Sequence, residues 1–205
     1  MKEINIIDFG LMGKQISALF YLLGYEIGVY NKSKLNIYEF EKQIKLLQRK
    51  IDFSNFNAGK INIYQHIEDL KNSLTIESLN EDLNLKKEIM QILRDNNIVF
   101  SNSSSLSMDD LNCDFIHFFN TIYIKLIELC GSNLERFTPL KDLKKLGFHI
   151  ICSKGNRGAL ANLLLFNEIS SFFKIIEKYD YNFKECQTVY DLLYEKRNLL
   201  NIIDT

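Results

Sequence analysis

The chain has 205 residues, 25 basic against 26 acidic, a formal charge of −1 and 46% hydrophobic residues. That is enough for one large domain, or one domain with a small appendage, built on a real core. The near-neutral balance excludes a general binder of nucleic acid or of an anionic membrane surface, and no apolar run approaches the ~20 residues that span a bilayer.

Residues 3–8, EINIID, form a short apolar run that reads as a first strand. After Gly10 the positions Leu11, Met12, Ile16, Leu19, Phe20 and Leu23 have helical spacing, and Gly24 stands where a C-terminal cap would end the helix. Residues 26–30, EIGVY, read as a second strand, so the first thirty residues make the strand–turn–helix–strand unit that a parallel sheet requires. The alternation continues with a helix over 35–53, strands over 61–64 and 73–77, a charged amphipathic helix over 81–94 and a buried strand over 98–100. Ser107 to Asp110 is a capping box for a short helix. Residues 114–119, 122–129 and 147–152 are strand-like, and 159–179 and 183–203 are helical and apolar. The chain therefore reads as α/β: a doubly wound, Rossmann-type, mostly parallel sheet followed by a short C-terminal helical tail. The expected division is 1–153 for the dinucleotide-binding domain and 154–205 for a helical segment. In the tail, Leu192, Leu193, Leu199, Leu200, Ile202 and Ile203 form an apolar stripe suited to packing on the sheet or on a second subunit, a possible homodimer.

Four cysteines, at 113, 130, 152 and 186, are scattered without a C-x-x-C pair. They read as reduced thiols of a cytoplasmic protein. No histidine has ligand-like spacing to a cysteine, so no metal is expected. The N-terminus enters a strand at once and lacks the form of a signal peptide.

The first turn is Asp8-Phe9-Gly10-Leu11-Met12-Gly13. In the dinucleotide fingerprint G-x-G-x-x-G the first glycine makes the tight turn, the second admits the pyrophosphate and the third lets helix and strand pack closely. Gly10 and Gly13 keep the last two tasks, and the following helix points its N-terminal N–H groups at an anion. Asp8 takes the first task. Aspartate tolerates unusual backbone angles, but its carboxylate near a diphosphate costs on the order of a few kcal/mol unless it rotates toward a neighbouring N–H or toward solvent. The second strand ends in Asn31, Lys32 and Lys34, where NAD enzymes usually place an acid for the ribose hydroxyls. A missing acid beside cations favours the 2′-phosphate of NADP; equally, the lysines are ordinary solvated turn residues. The cofactor expected is NAD or NADP.

Further stretches carry a resemblance. IESLNEDLNLKKEIMQIL (76–93), SNSSSL (101–106), HFFN (117–120) and KLIE (125–128) come in the order and rough spacing of the L-3-hydroxyacyl-CoA dehydrogenase family. That family typically reads V-E-A-x-x-E-x-x-x-x-K, S-N-T-S-S-L, H-F-F-N-P and K-L-V-E. The resemblance implies that His117 is the general base for the substrate hydroxyl and that Glu128 holds and polarises its imidazole. It implies that Ser104 and Asn162 bind the same substrate oxygen, and that Glu81, Lys86, Asn102 and Asn120 line the cofactor beside the Gly10–Gly13 turn. The chemistry is coherent: a histidine titrates near neutrality, and a carboxylate partner sets its tautomer and raises its basicity.

Four features depart from the family pattern: Asp8 for a glycine; Thr121 for the proline after HFFN, with one residue fewer between His117 and Glu128; Leu163 for an arginine; and a short helical tail. A one-residue deletion within a strand would turn one of the pair to the other face, whereas a shortened loop before Lys125 would absorb it. The short tail favours a short 3-hydroxyacyl thioester as substrate. Two other functions stay open: a degenerate Rossmann binding protein without redox activity, and an NADP-dependent reductase of a small free hydroxy or oxo acid, which the GLMG turn and the VYNKS strand end resemble.

Overall fold

In the computed structural model residues 2–32, 36–93, 98–153 and 159–193 are described; Lys34 and the tail stripe beyond Leu193 lie outside them, as does the side chain of Leu193. The chain divides into two compact units, residues 1–159 and a helical unit that begins at Leu160.

The first unit follows the order β1 (Glu3–Ile7), α1 (Leu11–Leu22), β2 (Glu26–Tyr30), α2 (Ile37–Lys50), β3 (Lys60–Tyr64), β4 (Leu74–Glu77), α3 (Leu83–Leu93), β5 (Ile98–Ser101), α4 (Met108–Leu111), β6 (Asp114–Phe118), β7 (Leu126–Cys130), α5 (Leu140–Lys145) and β8 (His149–Ser153). One eight-stranded sheet has the order β3-β2-β1-β4-β5-β6-β7-β8. β1 to β6 pair in parallel, β7 runs antiparallel to β6, and β8 is parallel to β7. The order reverses between β1 and β4, the switch point at which a doubly wound sheet opens its ligand crevice.

Local chemistry explains the boundaries. α1 ends in a Schellman motif: Gly24 has φ +84°, its N–H donates to Tyr21 O and the Tyr25 N–H donates to Phe20 O, both at 3.0 Å. Asn36 caps α2 by accepting from the Glu39 N–H at 3.2 Å. Ser107, where a capping box is expected, caps α4: its Oγ accepts from the Asp110 N–H and donates to the Asp110 carboxylate.

The sheet buries both faces. On one, Phe20, Phe40, Leu47, Phe118, Phe137, Leu143 and Phe148 join α1, α2 and α5 to the strands. On the other, Ile7, Ile67, Leu70, Ile89 and Leu93 pack under α3. Two features depart from the sequence reading. The strand expected over 122–129 begins only at Leu126, because Asn120 O accepts the N–H groups of Tyr123 and Ile124 and closes a turn there. The α5 helix was not foreseen; at six residues it is too short to display a helical period.

The helical unit holds α6 (Leu160–Tyr179) and α7 (Phe183–Leu193). Phe172 meets Phe183 and Tyr190 edge-on, and Tyr190 donates to the carboxylate of Glu168.

Candidate active site

The turn after β1 is tight and self-bonded. Asp8 adopts φ +74°, in the left-handed region, and its N–H donates to Tyr30 O at 2.9 Å. Its carboxylate has turned toward a donor: Oδ2 accepts the Gly10 N–H at 2.9 Å. Gly13 is needed for close approach, since a Cβ there would come within 2.2 Å of the Asp8 carbonyl oxygen. No side chain caps α1 and its first turn carries no acid. Leu11 is exposed and Met12 half-buried. At the end of β2, Asn31 Oδ1 accepts the Phe9 N–H at 3.1 Å, so this residue braces the turn, while Lys32 is exposed. The glycine-lined turn and the uncapped helix fit the diphosphate of a dinucleotide; the Asp8 carboxylate opposes it.

After β5 the chain makes a second turn, through the serine run. Glu81, just before α3, accepts from Ser103 Oγ at 2.7 Å, from the Ser105 N–H at 3.3 Å and, most closely, from the Ser104 N–H. Asn102 stitches strand ends together: its N–H donates to Glu77 O and its Oδ1 accepts the Phe118 N–H, both at 2.8 Å. Lys86 is fully buried, with Nζ 2.7 Å from Glu77 Oε1 and 2.8 Å from Leu79 O. Glu77, also fully buried, accepts from Ser101 Oγ at 2.6 Å. The buried pair thus anchors the root of the serine turn. Glu77 was not singled out from the sequence, although a carboxylate ending the strand run SLTIE signals a buried acid that needs some partner.

His117 on β6 and Glu128 on β7 stand directly opposite each other in the antiparallel pair, and so on one face of the sheet. Residues 119–125 join the two strands, and the register between them keeps the pair together. Both side chains are buried, at 7% and 1% exposure. His117 packs edge-on against Phe119, and its Nδ1 is buried without a hydrogen-bond partner. Burial lowers its pKa below the ordinary value; a backbone hydrogen bond with Ser103 and the charges of Glu128 and Glu81 oppose that shift. Glu128 accepts a weak bond from the Cys130 thiol at 3.7 Å. Asn120 holds the loop between the strands, its Oδ1 accepting the Ile122 N–H at 3.3 Å. Thr121, in the place of the family proline, is fully buried with Oγ1 3.4 Å from Gln15 Oε1 of α1. Asn162 belongs to the helical unit, where it is buried in the first turn of α6. Among the described residues no group of three or more His, Cys, Asp or Glu side chains is placed to hold a metal ion.

A doubly wound sheet with a glycine turn at its switch point defines the class: a dinucleotide-binding α/β protein. Residues 3–136 match the family model described as 3-hydroxyacyl-CoA dehydrogenase, NAD binding domain. The chain belongs to the 3-hydroxyacyl-CoA dehydrogenase family. It is 24% identical to the human mitochondrial hydroxyacyl-coenzyme A dehydrogenase, over 94% of this chain and 71% of that protein. It is 27% identical to a 3-hydroxybutyryl-CoA dehydrogenase of Clostridioides difficile, over 64% of this chain and 55% of that protein. Among solved structures, the (S)-3-hydroxybutyryl-CoA dehydrogenase of Ralstonia eutropha superposes with a TM-score of 0.74 at 21% identity, covering 96% of this chain and 79% of that one.

Proposed function

We propose that the protein is an NAD-dependent dehydrogenase that interconverts a short 3-hydroxyacyl thioester, such as a short-chain 3-hydroxyacyl-CoA, and its 3-oxo counterpart. The observation that carries this reading is the buried His117–Glu128 pair facing across β6 and β7. NAD, when bound, supplies the hydride acceptor. The residues of this chain must then take the hydroxyl proton as the C–H bond is lost and the C=O bond forms. Burial keeps the His117 imidazole neutral, the state that accepts a proton. The Glu128 charge, acting across the strand pair, stabilises the imidazolium that results. Ser104 is held by Glu81 through its amide, and its hydroxyl is assigned to the substrate oxygen. Asn162, assigned to the same oxygen, rests on the family resemblance alone.

The test is reduction of acetoacetyl-CoA with NADH and, because Asn31 replaces the usual ribose-binding acid, with NADPH. Turnover is expected, with His117→Ala lowering kcat by about 10²- to 10⁴-fold. No turnover with either cofactor, together with an inert His117→Ala, would sink the reading. One observation favours a second reading, a dinucleotide-binding protein without redox activity: the Asp8 carboxylate sits on the Gly10 N–H. That reading predicts NADH binding with no turnover in the same assay.

Finer assignments complete the proposal. Leu163, Leu164, Phe166 and Ile175 of α6 are exposed, which supports a homodimer through the helical unit; sedimentation velocity tests it. The four cysteines are free thiols, which supports a reducing compartment, and we place the protein in the cytoplasm, in fatty acid metabolism. No described helix is long and apolar enough to cross a membrane.

A further inference from the structure

We propose that Asp8 is an internal anion that guards the phosphate turn, so that a dinucleotide enters only by displacing this carboxylate from the Gly10 N–H. Rotation toward a neighbouring N–H relieves the apo protein and not the complex, because the donor it has found is the one beside which the fingerprint admits the pyrophosphate.

The geometry leaves the carboxylate little choice. Asp8 holds φ at +74°, and its Oδ2 reaches the N–H of Gly10 two residues on. A Cβ built on Gly10 would lie 2.8 Å from Asp8 Oδ2, so the oxygen occupies the open side of that glycine. The backbone beneath the carboxylate is fixed as well: the Asp8 carbonyl oxygen stands 2.2 Å from the position of a Cβ at Gly13. Among the described residues no lysine or arginine forms an ion pair with Asp8. An incoming diphosphate therefore meets a carboxylate that none of these residues pairs with, as well as an occupied donor. The same carboxylate supplies a negative charge of the kind that the uncapped N-terminus of α1 favours.

This inference rests on the dehydrogenase reading only in taking the ligand to be a dinucleotide. The experiment is titration of wild type, Asp8→Asn and Asp8→Gly with ADP-ribose and with adenosine by calorimetry. Both substitutions tolerate the positive φ. Asparagine keeps an acceptor for the Gly10 N–H and removes the charge, whereas glycine removes both. ADP-ribose affinity is expected to rise at least about tenfold in Asp8→Asn at low salt and further in Asp8→Gly, the gain shrinking as salt is added. Adenosine, which lacks the diphosphate, is expected to bind all three alike. Equal ADP-ribose affinity across the three proteins overturns the guard alone, as does an equal gain for adenosine. If no variant binds ADP-ribose or NADH, the guard and the cofactor reading fall together.

Discussion

Two strand-to-helix turns at the carboxyl edge of the sheet are each organised by a carboxylate that captures backbone N–H groups. After β1 the carboxylate is Asp8, two residues from the Gly10 amide it holds. After β5 it is Glu81, more than twenty residues from the amides of Ser104 and Ser105. Asp8 takes a donor that an anionic ligand needs, and can let go by rotating one side chain. Glu81 holds amides of a different loop, and its bonds tie α3's approach to the end of β5. A carboxylate from within a turn competes with the ligand; one from outside presents the turn to it. Beneath the second turn, Glu77 and Lys86 add a buried ion pair with no counterpart at the first turn among the described residues.

The difference should be largest in stability. Lys86→Met leaves Glu77 as an uncompensated buried charge, and the expected loss is about 3–5 kcal/mol in urea unfolding. Adding Glu77→Gln should recover part of it, because the remaining amide still serves Ser101 Oγ. A loss below about 1 kcal/mol for the single variant would mean that the pair is not dry.

The first turn should be rigid at its backbone and soft at its side chain. Gly13→Ala drives a Cβ against the Asp8 carbonyl, an atom with no freedom to move, and should cost about 1–3 kcal/mol in a thermal scan. Gly10→Ala meets only the Asp8 carboxylate, the swinging end of a side chain, and should cost less. In an Asp8→Gly background the Gly10 cost should vanish while the Gly13 cost persists. Equal costs at the two glycines would refute a movable guard.

Much of the first turn was legible because it is built from local chemistry: an apolar strand, glycines at fixed spacing and a helical period closed by Gly24. The second was legible only through the resemblance, which grouped Ser104, Glu81 and Lys86 without their connections. Periodicity does not reveal that Lys86 points at Glu77, since a buried lysine looks like any other lysine on an amphipathic helix. The antiparallel turn of β7 was equally hidden; it depends on the Asn120 loop, whose bonds are tertiary facts. The facing of His117 and Glu128 needed the register, which a single deletion left ambiguous in the sequence and the observed pairing of β6 with β7 resolves. Asp8 was visible as an anomaly, but which N–H it would choose was not.

A smaller effect should come from loosening the second turn. Glu81→Gln keeps one acceptor and loses the charge assistance to the Ser103 hydroxyl and to the amides of Ser104 and Ser105, for an expected cost of about 1 kcal/mol. Hydrogen exchange should show the Ser104 and Ser105 amides losing protection. Unchanged protection would mean the serine turn holds its own shape.

The smallest effect concerns His117 and separates the two carboxylates by reach. Burial lowers the His117 pKa in the folded protein, whereas the unfolded chain titrates near ~6.5. Above that pH neither state binds the proton, and the contribution of the neutral buried ring is complete. As pH falls below it, the unfolded chain takes up the proton first, so stability drops until the folded pKa is passed. His117→Gln should flatten this part of the stability–pH curve relative to wild type, and an unchanged slope would contradict a buried neutral imidazole. Glu81 is among the charges that raise the His117 pKa, and Asp8 is not. Glu81→Gln should therefore carry the drop to lower pH, while Asp8→Asn leaves the His117-dependent part where it was. If both variants moved it alike, the division between a ligand-guarding carboxylate and a loop-fixing one would collapse.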